Sequence, residues 1–585
     1  MDSDSEDDKL KGDNRAYKPV ENEEGTDLEN GNNSDGEDLD GIRKQLRYPI
    51  GRDPNWALSF LLGLQQYLVM WGSTFGISVV LAPGLCVDSN VAVKGQLLNT
   101  MFTMCGITTL LQVMFGTRLP IIQSGSWIFF PVAAGILSDT TCKEEYHVLD
   151  DDGNNVTQSW DPNWHSGMAK LQGNLMLASL AQMILGGFGL VGLLLKVVGP
   201  ITISVMISLI GLNLANVAKY QASKNWGIAL LMVVFVTLLS EYFKNIAVPL
   251  PYISFSRQEG TKFGVKWVKL FSTLSVIISL VLVWVLCGIL TATDTLGRDN
   301  PARVGDIRKS MGDATWFYFP YPGQFGTPQV SVGGFVGFLA AILAGAIESI
   351  GDYFACAKLA GAPPPPKYAL NRGILLEGVG CFLAGACGPG LGVTSYSENI
   401  GAIGLTKVGS RRVICCSALL MILMGVIGKI GVLFASIPAP IIGGMYMVMF
   451  GIVTAVGISN LRFIDLTCSR NVFIVGISIY FGVVVPMWIS DPSSAAAIAT
   501  GNSEFDQLVR VLFSSGMIVG AAIACFLDNT IAGTDKKRGL TSYEFAATSS
   551  SDRALIKDVY HEPLMEFLAR KIPVLRKLPF VPSSA

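Results

Sequence analysis

Glu348 and Asp352 stand four residues apart in Glu-Ser-Ile-Gly-Asp, inside an apolar run over 332–357. A spacing of four places both carboxylates on one face of a helix. No Lys or Arg lies in the interior of that run to neutralise them. Acids at membrane depth are costly and mark functional sites, so this pair must meet a cation, a proton or the N–H donors of a substrate. Glu377 and Glu398 are two further acids in apolar runs. Glu377 follows Arg372 by five residues near the cytosolic end of its run, and a structural hydrogen-bonding role suits it at least as well as a functional one. Glu398 lies in Gly-Pro-Gly-Leu-Gly-Val-Thr-Ser-Tyr-Ser-Glu-Asn-Ile-Gly, residues 388–401. So much Gly, Ser and Thr makes a poor continuous helix but a good beginning for a half-helix, whose free N–H groups can bind polar ligand atoms in a dry site. Pro120, Gln123, Ser124, Gly125, Ser126 and Trp127 form a comparable stretch earlier in the chain. Trp127 and Phe129 would ordinarily be core or lipid-facing aromatics, yet here they follow directly on the break, where one of them could stack on a flat ligand.

The elements that must position these residues are membrane spans. The chain has 585 residues, of which 50% are hydrophobic and only 15% charged, with a mean hydropathy of +0.46. Soluble domains carry about 25% charged residues, and this surplus of apolar side chains cannot be hidden in one soluble core. Apolar runs occupy 56–81, 97–116, 119–137, 171–195, 200–218, 226–243 and 270–292, then, after a polar gap, 332–357, 371–388, 395–405, 413–436, 440–458, 471–489 and 508–531. The pattern predicts an all-α polytopic membrane protein with 14 transmembrane spans. The third run of each set is the one interrupted by Gly, Ser and Pro, which points to an internal repeat whose interrupted helices, spans 3 and 10, form the binding site. Seven spans per copy is an odd number, so the 7+7 repeat is inverted.

Loop charge orients the threading. Arg43, Lys44, Arg47 and Arg52 precede the first span; the loop 244–269 holds five bases and one acid; Lys536, Lys537 and Arg538 follow the last span. All of these fall on the cytosolic side under the positive-inside rule. The loop 138–168, with seven acids against Lys143, falls outside and carries the glycosylation acceptor Asn155-Val156-Thr157. The sequon at Asn32 falls inside, where it should stay unmodified. Residues 1–50 form an acidic, disordered cytosolic tail, with 15 acids against 7 bases. Residues 51–292 are the first seven-span repeat, 293–331 an extracellular linker, 332–531 the second repeat and 532–585 a cytosolic C-terminal tail. Both termini are cytosolic, and no cleavable signal peptide opens the chain.

Other chemistries lack their residues. The three histidines, His147, His165 and His561, lie in a polar loop or the tail, so no His-ligated intramembrane metal or His relay is available. An intramembrane enzyme would need a nucleophile with a base or a metal site; an anion exchanger or channel would need fixed positive charge beside these acids. The eleven cysteines show no CxxC or other zinc spacing. Cys86 and Cys142 fall in outside loops, where they are equally consistent with a disulfide and with two free thiols. No nucleic-acid partner fits this composition.

Ser397-Glu398-Asn399-Ile400-Gly401 with Thr406-Lys407 resembles the signature of the nucleobase–ascorbate transporter family: Gln, Glu or Pro, then Asn, any residue, Gly, four residues, Thr and a base. Glu348 to Asp352 is similar to that family's span-eight motif. Val408-Gly-Ser-Arg-Arg412 and Asp528-Asn-Thr-Ile-Ala-Gly-Thr534 resemble its animal branch, which includes sodium-dependent vitamin C transporters. The likeness runs from about residue 50 to 540. It implies a core domain (spans 1–4 and 8–11) moving against a gate domain (spans 5–7 and 12–14), a substrate held between spans 3, 8 and 10, and a homodimer in the plasma membrane. By the same resemblance Glu348 and Glu398 accept substrate N–H groups, with Ser126 and Ser397 beside them. Trp127 stacks, Asn399 organises the span-10 turn, and Asp352, with Glu348, serves coupling to a sodium ion held near Asp352. No cofactor is implied beyond the co-transported sodium. Two positions depart from the family: Gln65-Gln66 stands where Gln-His is common, and Glu398 stands where vitamin C carriers have Pro. A carboxylate can accept two N–H bonds from the edge of uracil or a purine, whereas it repels the ascorbate anion. The expected function is therefore sodium-coupled nucleobase import, with sodium-dependent ascorbate transport as the alternative.

Overall fold

The computed structural model describes residues 41–581 apart from 139, 141, 144–145, 150–154, 159, 257–259, 269, 298–299, 306–310, 313, 492–497, 540–549, 563–566, 568–570 and 572–577. Most of the expected acidic tail, including Asn32, lies outside these residues. Apolar sequence with well-placed caps builds the helices. Asn55, Asn90 and Ser331 each accept a hydrogen bond from the backbone N–H three residues on, at 3.0, 3.1 and 3.2 Å, and so begin Trp56–Gly84 (α1), Val91–Met114 (α2) and Val332–Ala360. Between α2 and Val332 come Gln123–Gly125 (β1), Phe130–Leu137 (α3), the hairpin Tyr146–Leu149 (β2) with Asn155–Gln158 (β3), His165–Gly187 (α4), Val191–Val197 (α5), Pro200–Asn213 (α6), Ala215–Ser223 (α7), Trp226–Thr237 (α8), the hairpin Val248–Ser256 (β4) with Gly260–Val268 (β5), and Leu270–Ala292 (α9). After Val332–Ala360 (α10) follow Lys367–Cys387 (α11), Val393–Ser395 (β6), Ser397–Thr406 (α12), Arg411–Val426 (α13), Gly428–Ala435 (α14), Ala439–Ser459 (α15), Ser469–Ile489 (α16), Ser503–Ser514 (α17), Gly516–Thr530 (α18), Asp535–Arg538 (α19) and Ser550–Tyr560 (α20).

Each expected apolar run contains helix. Among the described residues eight helices are long and apolar enough to cross a membrane, or nine if α17 and α18, bent by 81° at their junction, count as one span. The rest are shorter pieces. Two bundles emerge from the packing: α4 lies on α11, and α13 on α1 and α2, while α6 packs with α15, α16 and α18. Small residues permit close approach, as membrane helices require without a hydrophobic drive between them. A Cβ added to Gly106 of α2 would lie 2.6 Å from the Ala418 carbonyl of α13. Where the bundles meet, the Tyr446 hydroxyl of α15 sits against Gly76 of α1, in space a Cβ would fill. Leu230, Val234, Val285, Ile289, Val472 and Phe473 are exposed; such a surface suits lipid rather than water.

Two segments are more ordered than their charge suggests. The basic loop 244–269 is largely the β4–β5 hairpin. The expected tail also contains α20, which docks under the first bundle: Val559 and Tyr560 are fully buried with Ile50, Tyr353, Ala362 and Leu370. The Tyr560 hydroxyl donates to the Pro363 carbonyl at 2.5 Å, and its own carbonyl accepts from Arg372 Nη2 at 2.7 Å. Removing so large a buried side chain costs about 3 kcal/mol. Tyr560→Ala is therefore expected to lower the thermal midpoint of the detergent-solubilised protein by several degrees; an unchanged midpoint would show that α20 does not dock.

The candidate substrate and ion site

The two Gly- and Ser-rich stretches meet at the centre of the first bundle. β1 and β6 pair antiparallel, Gln123 opposite Ser395 and Gly125 opposite Val393. The ladder is extended by Tyr396 N–H to the Ile122 carbonyl and Ser126 N–H to the Gly392 carbonyl, both at 3.1 Å. Gly388 and Gly390 make the turn into β6 with φ of 74° and 98°, a left-handed backbone that side chains disfavour. Each strand then runs into a short helix, β1 through a 3-10 turn at Trp127–Phe129 into α3, and β6 directly into α12. Tyr396, at the N-cap of α12, makes no side-chain cap, and within the first turn the Glu398 carboxylate takes up its own backbone N–H.

Around this crossing the expected site residues take different positions. Asp352, on α10, accepts the Ser397 hydroxyl with both carboxylate oxygens, at 2.9 and 3.1 Å. This joins the ion-coupling candidate to the first residue of α12. Glu348 lies one turn earlier, half-buried, and the charges that act on it are those of Asp352, Glu398 and Glu377, all acidic. Glu398 is half-buried in the first turn of α12. Asn399 is fully buried; its Oδ1 accepts the Ile122 N–H at 3.1 Å and its Nδ2 donates to Gln66 Oε1 at 2.6 Å. Asn399 thus holds α12 against both the β1 approach and α1, and Gln66, at the position where His is common, is part of that contact.

Ser126 and Trp127 are more committed than their sequence position suggests. The Ser126 hydroxyl caps the 3-10 turn, accepting from Ile128 N–H at 3.4 Å. The Trp127 ring stands edge-on to Tyr446 and Phe450 of α15, with centroids 5.4 and 5.0 Å away. Its Nε1 and the Tyr446 hydroxyl have no hydrogen-bond partner among the described residues. The second bundle therefore adds Tyr446 and Phe450 to the aromatic wall, a contribution the sequence does not signal. Arg372 does not pair with Glu377: its Nε donates to the Gly116 carbonyl at 2.7 Å and its Nη2 to Tyr560. Asp528, in the motif after the last run, is buried between Arg470 and Arg538, at 2.9 and 3.1 Å, and is structural. Cys86 and Cys142 are joined as a disulfide. Asn155 begins β3 of the loop hairpin.

Residues 58–490 match a family model described as a permease family. Solute carrier family 23 member 1 of Mus musculus is 39% identical over 545 residues, covering 92% of this chain and 89% of the relative. Solute carrier family 23 member 2 of Homo sapiens is 40% identical over 551 residues, 93% and 84% of the two chains. Nucleobase-ascorbate transporter 1 of Arabidopsis thaliana is 33% identical over 507 residues, 85% and 92%. The chain belongs to the nucleobase–ascorbate transporter family. It is a multi-pass membrane transporter of a small molecule, and not an enzyme. Among solved structures, the murine solute carrier 26 family member A9 in the inward-facing state aligns with a TM-score of 0.50 and 13% identity, over 84% of this chain and 73% of that one. So low an identity speaks for a shared transporter fold alone.

Proposed function

We propose that this member of the nucleobase–ascorbate transporter family is a sodium-coupled symporter importing nucleobases across the plasma membrane by alternating access. In this reading the chain crosses the bilayer 14 times as an inverted 7+7 repeat with both termini cytosolic, and works as a homodimer. The first bundle is the core and the second the gate. The observation that carries the substrate class is the acidic ring at the crossing: Glu348 and Glu398 are half-buried, and among the described residues the charges acting on Glu348 are those of Asp352, Glu398 and Glu377. Two carboxylate acceptors complement the N–H groups along the edge of a neutral, planar ligand. Trp127 forms the flat wall, and sodium would sit near Asp352, whose hydrogen bond to Ser397 links ion and substrate.

A second reading, sodium-dependent ascorbate transport, is supported by the resemblance of Val408–Arg412 and Asp528–Thr534 to the family's animal branch and by the name of the plant relative, which joins nucleobase and ascorbate. Glu398 separates the two, because an anionic substrate would meet its like charge. Glu398→Pro should lower nucleobase uptake about tenfold, the loss expected for a hydrogen bond to a charged acceptor, and admit ascorbate. Unchanged uptake of both compounds in that variant would remove Glu398 as the determinant of substrate class.

A further inference from the structure

Glu377 is 2% exposed and is the one acid of the cluster that the transport reading leaves without a task. Its Oε1 accepts Gln182 Nε2 of α4 at 2.9 Å. Its Oε2 accepts the hydroxyls of Tyr353 on α10 and Ser395 on β6, each at 3.2 Å, and Ser349 of α10 also hydrogen-bonds to the carboxylate. The second layer is as specific. Gln112 of α2 donates to the Tyr353 hydroxyl at 2.6 Å, and Gln123 of β1 donates to the Ser395 hydroxyl at 3.0 Å. One turn later on the same face of α11, the Cys381 thiol meets the Val393 carbonyl at 3.0 Å. So α11 grips β6 at two alternate residues, Val393 and Ser395, whose partners across the ladder are Gly125 and Gln123. Among the described residues no cation takes part, since Arg372 is turned to Gly116 and Tyr560.

We propose that Glu377 is a positioning residue: it fixes the β1–β6 crossing, and with it Ser397 and Glu398 two and three residues beyond Ser395, without touching substrate or coupling ion. This rests on the reading that the crossing holds the substrate. The role is geometric. Every group around the carboxylate is a donor, and only an acceptor of this reach can satisfy them together. A small displacement of Ser395 moves the start of α12, and sub-ångström placement of binding groups governs affinity.

The role separates from ion or proton handling by the form of the substitution. In Glu377→Gln the amide oxygen can still accept from Tyr353 and Ser395, while the Gln182 amide, whose oxygen has no hydrogen-bond partner among the described residues, can flip to accept the new NH2. In Glu377→Ala every one of these bonds is lost; in Ser395→Ala the bonds to Glu377 and Gln123 are lost. The test uses full-length protein in cells and whichever of labelled uracil, hypoxanthine and ascorbate the unmodified chain takes up, with surface protein quantified. Glu377→Ala and Ser395→Ala are expected to raise KM about tenfold with the maximal rate per surface molecule within about twofold, and Glu377→Gln to restore a near-normal KM. Should Glu377→Ala fail to reach the surface, Ser395→Ala carries the same prediction. Loss of transport or an altered sodium activation curve in Glu377→Gln would overturn the proposal by assigning a charge role, as would an unchanged KM in the alanine variants. If the unmodified chain takes up none of the three compounds, the functional reading itself falls and the proposal with it.

Discussion

Glu348→Gln should reduce substrate uptake at least 100-fold while leaving the protein at the cell surface. Glu348 makes no side-chain hydrogen bond to another described residue and is half-buried beside Glu398, and among the described residues the charges acting on it are acidic. Such a carboxylate contributes little to folding, because nothing in the resting protein depends on it. Its value arises when a donor arrives: a hydrogen bond to a charged acceptor contributes about 1.5–3 kcal/mol, and the amide variant also presents N–H to the N–H groups of the ligand, leaving both unpaired. Uptake of labelled substrate at matched surface level measures the effect. Normal uptake would move the substrate away from α10.

Asp352→Asn should act on the ion instead. Asp352 is 8% exposed and receives the Ser397 hydroxyl on both oxygens. That geometry orders the carboxylate and connects it to the helix that carries Glu398. A neutral amide keeps the shape and half of the hydrogen-bonding pattern but removes the charge that would attract a cation in a low-dielectric site. The expected result is a sodium activation curve displaced about tenfold or more to higher concentration, with a smaller change in the substrate KM at saturating sodium. A curve superimposable on that of the unmodified protein would exclude Asp352 from coupling.

Much of this architecture is legible in the sequence because lipid imposes a simple rule: backbone groups must be satisfied within each span. The apolar runs 56–81, 270–292 and 471–489 therefore coincide closely with Trp56–Gly84, Leu270–Ala292 and Ser469–Ile489. The acids of the site are legible for the same reason, since Glu348, Asp352 and Glu398 are expensive where they stand. What is not legible is contact across the chain. The three-residue strands β1 and β6 pair over about 270 positions of sequence, too short for any alternation to announce them. Asn399 is readable as a turn residue, but its bonds to Ile122 and Gln66 are tertiary. Trp127 looks like a free stacking surface in the sequence, and only the packing of α15 shows that the Tyr446 and Phe450 rings already stand nearly perpendicular to it. Arg372 and Glu377 invite pairing by proximity in sequence; helix geometry sends them to different neighbours. The docking of α20 is hidden by its charges, because Ser-Ser-Asp-Arg-Ala-Leu-Ile-Lys-Asp-Val-Tyr carries too few apolar residues to look buried.

Uptake of labelled uracil, hypoxanthine and ascorbate into cells expressing this chain, in sodium and in choline buffer, is the most direct measurement of the acidic ring's purpose. Sodium-dependent accumulation of a base, with little ascorbate, is the expected result of Glu348 and Glu398 facing the ligand. Sodium-dependent accumulation of ascorbate alone would contradict it, and would mean that Glu398 does not meet the substrate.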